Sequence, residues 1–126
     1  MDSNNITKEQ EILDSLRVKF VESSLEKLEE ISVGIDKFRS HPHPDGLKTV
    51  LSEIHTLKGL GGTFGFRDFS LIAARLEYYL EGLSKISDQN FKDLKVFISR
   101  LHDCIERGAH SSVTDLDHIL SELPTR

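Results

Sequence analysis

Among 126 residues there is one cysteine, Cys104, so no internal disulfide can form. With helical residues on either side, it reads as a small core or boundary side chain rather than a reactive thiol. Basic residues are outnumbered, 16 Lys and Arg against 21 Asp and Glu for a formal charge of -5, which argues against a nucleic acid or an anionic membrane as partner. No apolar run approaches the roughly 18 residues needed to cross a bilayer. The start, MDSNNITKEQ, lacks the basic and then apolar pattern of a secretory signal, so the cytoplasm is the expected compartment. There is no GxxxxGK phosphate loop and no pair of catalytic groups at a spacing that suggests an enzyme. Convincing strand alternation and internal repeats are missing too.

What the chain does have is helical periodicity. A hydrophobic content of 37% over this length is enough for one compact domain, expected to span residues 1–126. Leu16, Phe20, Leu25, Leu28, Ile31 and Ile35 recur at spacings of three to five and predict a first helix that ends near Phe38, before SHPHPDG. A second helix is expected from about Asp45, as N-cap, with Leu47, Val50, Leu51, Ile54 and Leu57 inward, weakening through a glycine cluster. A third runs from about Arg67, buries Phe69, Ile72, Ala73, Leu76 and Leu80, and stops at Gly82. A fourth starts after a cap at Ser87 or Asp88 and carries Phe91, Leu94, Phe97, Ile98, Leu101 and Ile105 to Gly108. These patterns predict an all-α fold, an antiparallel up-down-up-down four-helix bundle over about residues 16–108. Short terminal segments, 1–15 and 109–126, add a helical turn or extend the first helix, and form a last short helix before Pro124.

One stretch breaks the pattern. EIHTLKGLGGTFGF, residues 53–66, sets His55 at the edge of the second helix's apolar stripe and follows it with Lys58 and four glycines, Gly59, Gly61, Gly62 and Gly65. At 100° per residue, His55 lies about 100° from the core direction, where a side chain reaches solvent. Gly59 and Gly62 fall on its side of the helix and remove bulk beside it. Each glycine inside a helix costs up to about 1 kcal/mol relative to alanine, so a cluster calls for a reason such as the close approach of another macromolecule. A neutral imidazole can attack phosphorus, and Lys58, three residues on, can bring an ammonium toward the resulting anion. A carboxylate behind the ring would favour the tautomer with the outer nitrogen free. Glu77, at the corresponding edge of the third helix, is the candidate.

The spacing of His55, Lys58, Gly59, Gly62 and Gly65 resembles the signature of histidine-containing phosphotransfer (HPt) domains of multistep two-component signalling. GGTFGF and Leu76-Glu77 are similar also to the N-terminal phosphotransfer domain of chemotaxis histidine kinases. The helix pattern matches over residues 16–108, the specific motif over 54–77. The resemblance implies that His55 accepts the phosphoryl group, Lys58 interacts with the phosphate, Gly59 and Gly62 form part of a receiver-docking surface, and Glu77 orients the histidine. It implies a phosphocarrier with no kinase activity and no cofactor of its own, the magnesium belonging to the receiver. The implied partners are response-regulator receiver domains and a sensor histidine kinase, hybrid kinases included, with a monomer as the expected state. Leu60 and Ala74 depart from the family patterns, Ala74 standing where the chemotaxis kinases use a second histidine.

Two other readings stand beside this one. A helical module could use the same glycine face to sequester a receiver without exchanging phosphate. His41 and His43, in HPHP, could pair on a metal, although Asp45 is the one further ligand nearby and a proline-shaped loop explains them better, so no metal site is expected. His102, His110 and His118 show no ligand spacing, and Phe64 and Phe66 read as core plugs at a helix junction.

Overall fold

The structure, a computed structural model, describes residues 3–108 and 113–126. His110 lies outside the described residues. Those described form five helices and no strand: α1 (Ser3–Ser40), α2 (Lys48–Thr63), α3 (Arg67–Leu80), α4 (Asp88–Arg107) and α5 (Val113–Glu122). Packing closes a circuit, with α1 against α2, α2 against α3, α3 against α4 and α4 back against α1. Gly34 of α1 meets Val50 of α2, while Arg17, half of α1 away, donates to the Phe64 carbonyl just past the end of α2 at 3.1 Å.

The inner stripe of α1 is Phe20, Ser24, Leu28, Ile31, Ile35 and Phe38. Leu16 and Leu25, expected inside, are 42% and 37% exposed. A regular stripe from Phe20 to Leu28 passes through position 24, so geometry buries a serine and leaves the adjacent leucine half outside. The Ser24 hydroxyl has no hydrogen-bond partner. A buried hydroxyl without a partner costs about 1–3 kcal/mol, so Ser24→Ala is expected to stabilise the fold by about 1 kcal/mol, checked by urea unfolding. An unchanged or lower midpoint would mean that the hydroxyl finds a partner in solution.

Asp45 does not cap α2. The Pro44–Leu47 stretch is a turn, and Asp45 uses its backbone carbonyl to accept the Lys48 amide at 3.1 Å. Leu47 precedes the helix with no side-chain cap, because the short proline turn already fixes the backbone where a capping side chain would otherwise act. Leu51, Phe91 and Ile98 are half-buried at the margins of the core rather than inside it. Ser87 does cap α4, in a reciprocal box: its hydroxyl accepts the Asn90 amide at 3.0 Å and its own amide donates to Asn90 Oδ1 at 3.1 Å.

Phe20 ties α1 to the α2–α3 junction, with ring centroids 5.7, 5.0 and 5.7 Å from those of Phe64, Phe66 and Phe69. The far end of the chain is fastened by Arg100 on Glu122 at 2.8 Å and by Arg126, which donates to the Glu81 carbonyl at 2.7 Å. Cys104 is buried, and burial pushes its thiol up, away from the reactive thiolate.

Candidate functional site

The second helix does not weaken at the glycines. It runs through Gly59, Gly61 and Gly62 to Thr63, and three different causes account for the cluster. A methyl group on Gly61 would stand 3.0 Å from Phe69 Cδ1 and 3.4 Å from the Phe66 carbonyl, so this glycine lets α3 approach α2 closely. Gly65 has φ +84 and closes the helix: the Phe66 amide reaches back to the Gly61 carbonyl at 2.8 Å and the Gly65 amide to that of Gly62 at 3.4 Å. Gly59 faces open space, with nothing within 4 Å of an added methyl, and Gly62 is exposed with Ser70 Oγ at 3.7 Å. Partner approach is therefore a reason left only for Gly59 and Gly62. Close packing and a turn explain the other two.

His55 projects from α2 with 69% of its side chain exposed. Its Nδ1 lies 2.9 Å from Oε2 of Glu77 on α3. The other carboxylate oxygen, Oε1, accepts from the Lys58 ammonium at 2.6 Å. Lys58 is 30% exposed and Glu77 17%, so the carboxylate sits behind the imidazole, sheltered between the two helices. Two further bonds fix this part of α2. Ser70 Oγ donates to the Lys58 carbonyl at 2.8 Å, and Thr63 Oγ1 donates to that of Gly59 at 3.0 Å. Ser70 was not singled out from the sequence, although it stands seven residues before Glu77, two turns back along the same face of α3.

Burial pushes the Glu77 carboxyl up, but hydrogen bonds from Lys58 and His55 outweigh it and leave the group below its ordinary value of 4.5. An ionised carboxylate only accepts, so Nδ1 of His55 carries the ring proton and Nε2 presents a lone pair to solvent. A depressed value in the fold means that this contribution to stability is present above pH 4.5 and is lost as the pH falls through the folded-state value. Melting temperatures of Glu77→Gln and the unaltered chain, separated at neutral pH, are thus expected to converge as the pH falls below 4.5. A gap that persists in acid would show that the charge of Glu77 does not stabilise the fold.

His41 and His43 lie on the exposed turn after α1, and no group of three or more His, Cys, Asp or Glu side chains among the described residues could hold a metal ion. A cavity of about 670 Å³ lies between α1 and α2, lined by Glu29, Glu53, His41 and His43 among others, and contains none of His55, Lys58 and Glu77. His55 itself stands on an exposed surface of α2.

Residues 15–111 match the family model of the Hpt domain, and the chain belongs to that family. Hpt domains are phosphocarriers of two-component signalling, working between kinases and response-regulator receivers, rather than kinases themselves. No curated protein and no solved structure matches the chain significantly. No helix among the described residues is long and apolar enough to cross a membrane.

Proposed function

We propose that this chain is a histidine phosphotransfer protein in which His55 is the carrier. Nε2 attacks the phosphorus of a receiver's aspartyl phosphate, an N–P bond forms, and the acyl P–O bond breaks with release of the aspartate carboxylate. Nδ1 keeps its proton throughout, and Glu77 faces the positive charge that the ring gains. The reverse sequence hands the group to the aspartate of a downstream receiver, or a sensor kinase supplies it. The observation that carries this reading is the exposed His55 with its inner nitrogen on the Glu77 carboxylate, which holds Nε2 outward. Lys58 stands where it can reach a phosphoryl group on that nitrogen, and Gly59 and Gly62 leave the approach clear for a receiver.

The opposed pairings of Gly34 with Val50 and Arg17 with Phe64 set α1 and α2 antiparallel, as an antiparallel four-helix bundle forming a single domain requires of its first two helices. The protein would work as a cytoplasmic monomer, with magnesium and the acidic chemistry supplied by the receiver.

Incubation with a panel of phosphorylated receiver domains tests the reading, and the expected result is an acid-labile, base-stable label at His55. Receiver binding with no label would make the chain a sequestering module instead. Lys58→Ala is expected to slow transfer roughly ten- to a hundredfold, the equivalent of about 1.4–2.8 kcal/mol of transition-state stabilisation, without weakening receiver binding. Single-turnover kinetics check this. An unchanged rate with weaker binding would make Lys58 a docking residue.

A further inference from the structure

Glu77 holds two partners at once, His55 on one oxygen and Lys58 on the other. In the resting chain, then, the ammonium assigned to the phosphoryl group is bound elsewhere, at 2.6 Å. We infer that Lys58 is an exchanging cation: Glu77 holds it while His55 is bare, and it passes to the phosphoryl oxygens when His55 is phosphorylated, leaving the carboxylate to the imidazole alone. The inference rests on the reading of His55 as phosphoryl carrier.

The physical case is a competition for one negative charge. When Nε2 bonds to phosphorus and Nδ1 keeps its proton, the ring becomes cationic, and a carboxylate already neutralised by a lysine supports that charge less than a free one. The incoming phosphoryl oxygens, in turn, attract the ammonium. One movement of Lys58 relieves both. The lysine is three residues beyond His55 on the same side of α2, with a four-carbon stem and three donors that can be redirected. No other polar side chain is hydrogen-bonded to its ammonium among the described residues.

Exchange and its alternative, a lysine that stays on Glu77 while touching phosphate, predict opposite couplings. Phosphoramidate serves as donor: its P–N bond breaks, ammonia leaves, and the phosphoryl group joins the imidazole nitrogen. The ratio of phosphohistidine to phosphoramidate at fixed ammonia, read from the ³¹P signal that His55→Gln lacks, measures the equilibrium without a receiver. Lys58→Met should lower that ratio, and the loss should be about threefold larger in a Glu77→Gln background, where nothing holds the lysine back. An equal or smaller loss in that background overturns the exchange and leaves the carrier standing.

The ¹⁵N resonance of the Lys58 ammonium in the otherwise unaltered chain gives a second reading that needs no Glu77 variant. Exchange requires it to move on phosphorylation and to become insensitive to the Glu77 carboxylate; an unmoved resonance overturns the exchange. If His55 takes label from neither phosphoramidate nor any phosphorylated receiver, the carrier reading falls and the exchange with it.

Discussion

His55→Gln is expected to abolish phosphoryl labelling while leaving the fold intact. The side chain is mostly exposed and makes one hydrogen bond, to Glu77, so its replacement should change stability by no more than about 0.5 kcal/mol. The loss of label should nevertheless be complete, because glutamine has no nitrogen lone pair able to form the N–P bond. Among the described residues His118 also meets a carboxylate, Glu122, at 3.0 Å, but it does so through Nε2. Glu122 also accepts from Arg100 at 2.8 Å, so what sets His55 apart is that its Nδ1, rather than its Nε2, faces the carboxylate and the outer nitrogen is left for phosphorus. Label that persists in His55→Gln at wild-type level would sink the assignment, and peptide mapping would then show which imidazole carries it. Circular dichroism and thermal unfolding of the same sample separate a lost nucleophile from a lost fold.

The pairing of His55 with Glu77 was accessible from the sequence because it follows from angles alone. Both residues stand at the edge of an apolar stripe, and edges of neighbouring helices meet. The bond from Lys58 to Glu77 was not accessible in that way, since a lysine stem has many endpoints and the sequence points its ammonium only to a region. The same limit explains Leu25 and Ser24. Hydrophobicity favours the leucine as the buried residue, whereas the phase of a continuous helix, set by Phe20 and Leu28, buries the serine. At Asp45 the local signal was genuine but a neighbouring one prevailed: the aspartate could have capped a helix, and Pro44 with Gly46 made it part of a turn. The glycine cluster was visible as an anomaly and was read as having one cause, while a Cβ contact and a positive φ divide it into three.

That division predicts opposite behaviour for two glycines two residues apart. Gly59→Ala adds a methyl group to open space within a continuous helix, so it should be neutral or stabilise by up to about 1 kcal/mol. Gly61→Ala gains the same helical preference but drives its methyl against the fully buried Phe69 ring, which is held between Phe20 and the rest of the core. Overpacking of this kind costs about 1–3 kcal/mol, which outweighs the gain, and a net loss of about 1 kcal/mol is expected from denaturant unfolding. Function should divide the other way. Gly59→Gln keeps the helix yet sets a long side chain one turn beyond His55, in the path of a receiver that must bring its aspartate within about 3 to 3.5 Å of the phosphorus. A misplacement of about 1 Å can cost a hundredfold, so transfer from every phosphorylated receiver should fall by roughly that factor in a stable protein. A small donor, phosphoramidate, needs no docking surface and should label Gly59→Gln and the unaltered chain alike. Gly61→Ala, corrected for its folded fraction, should accept phosphate from receivers at close to the unaltered rate. Equal rates from receivers for Gly59→Gln and the unaltered chain would remove Gly59 from the docking surface, and its open side would then need another explanation.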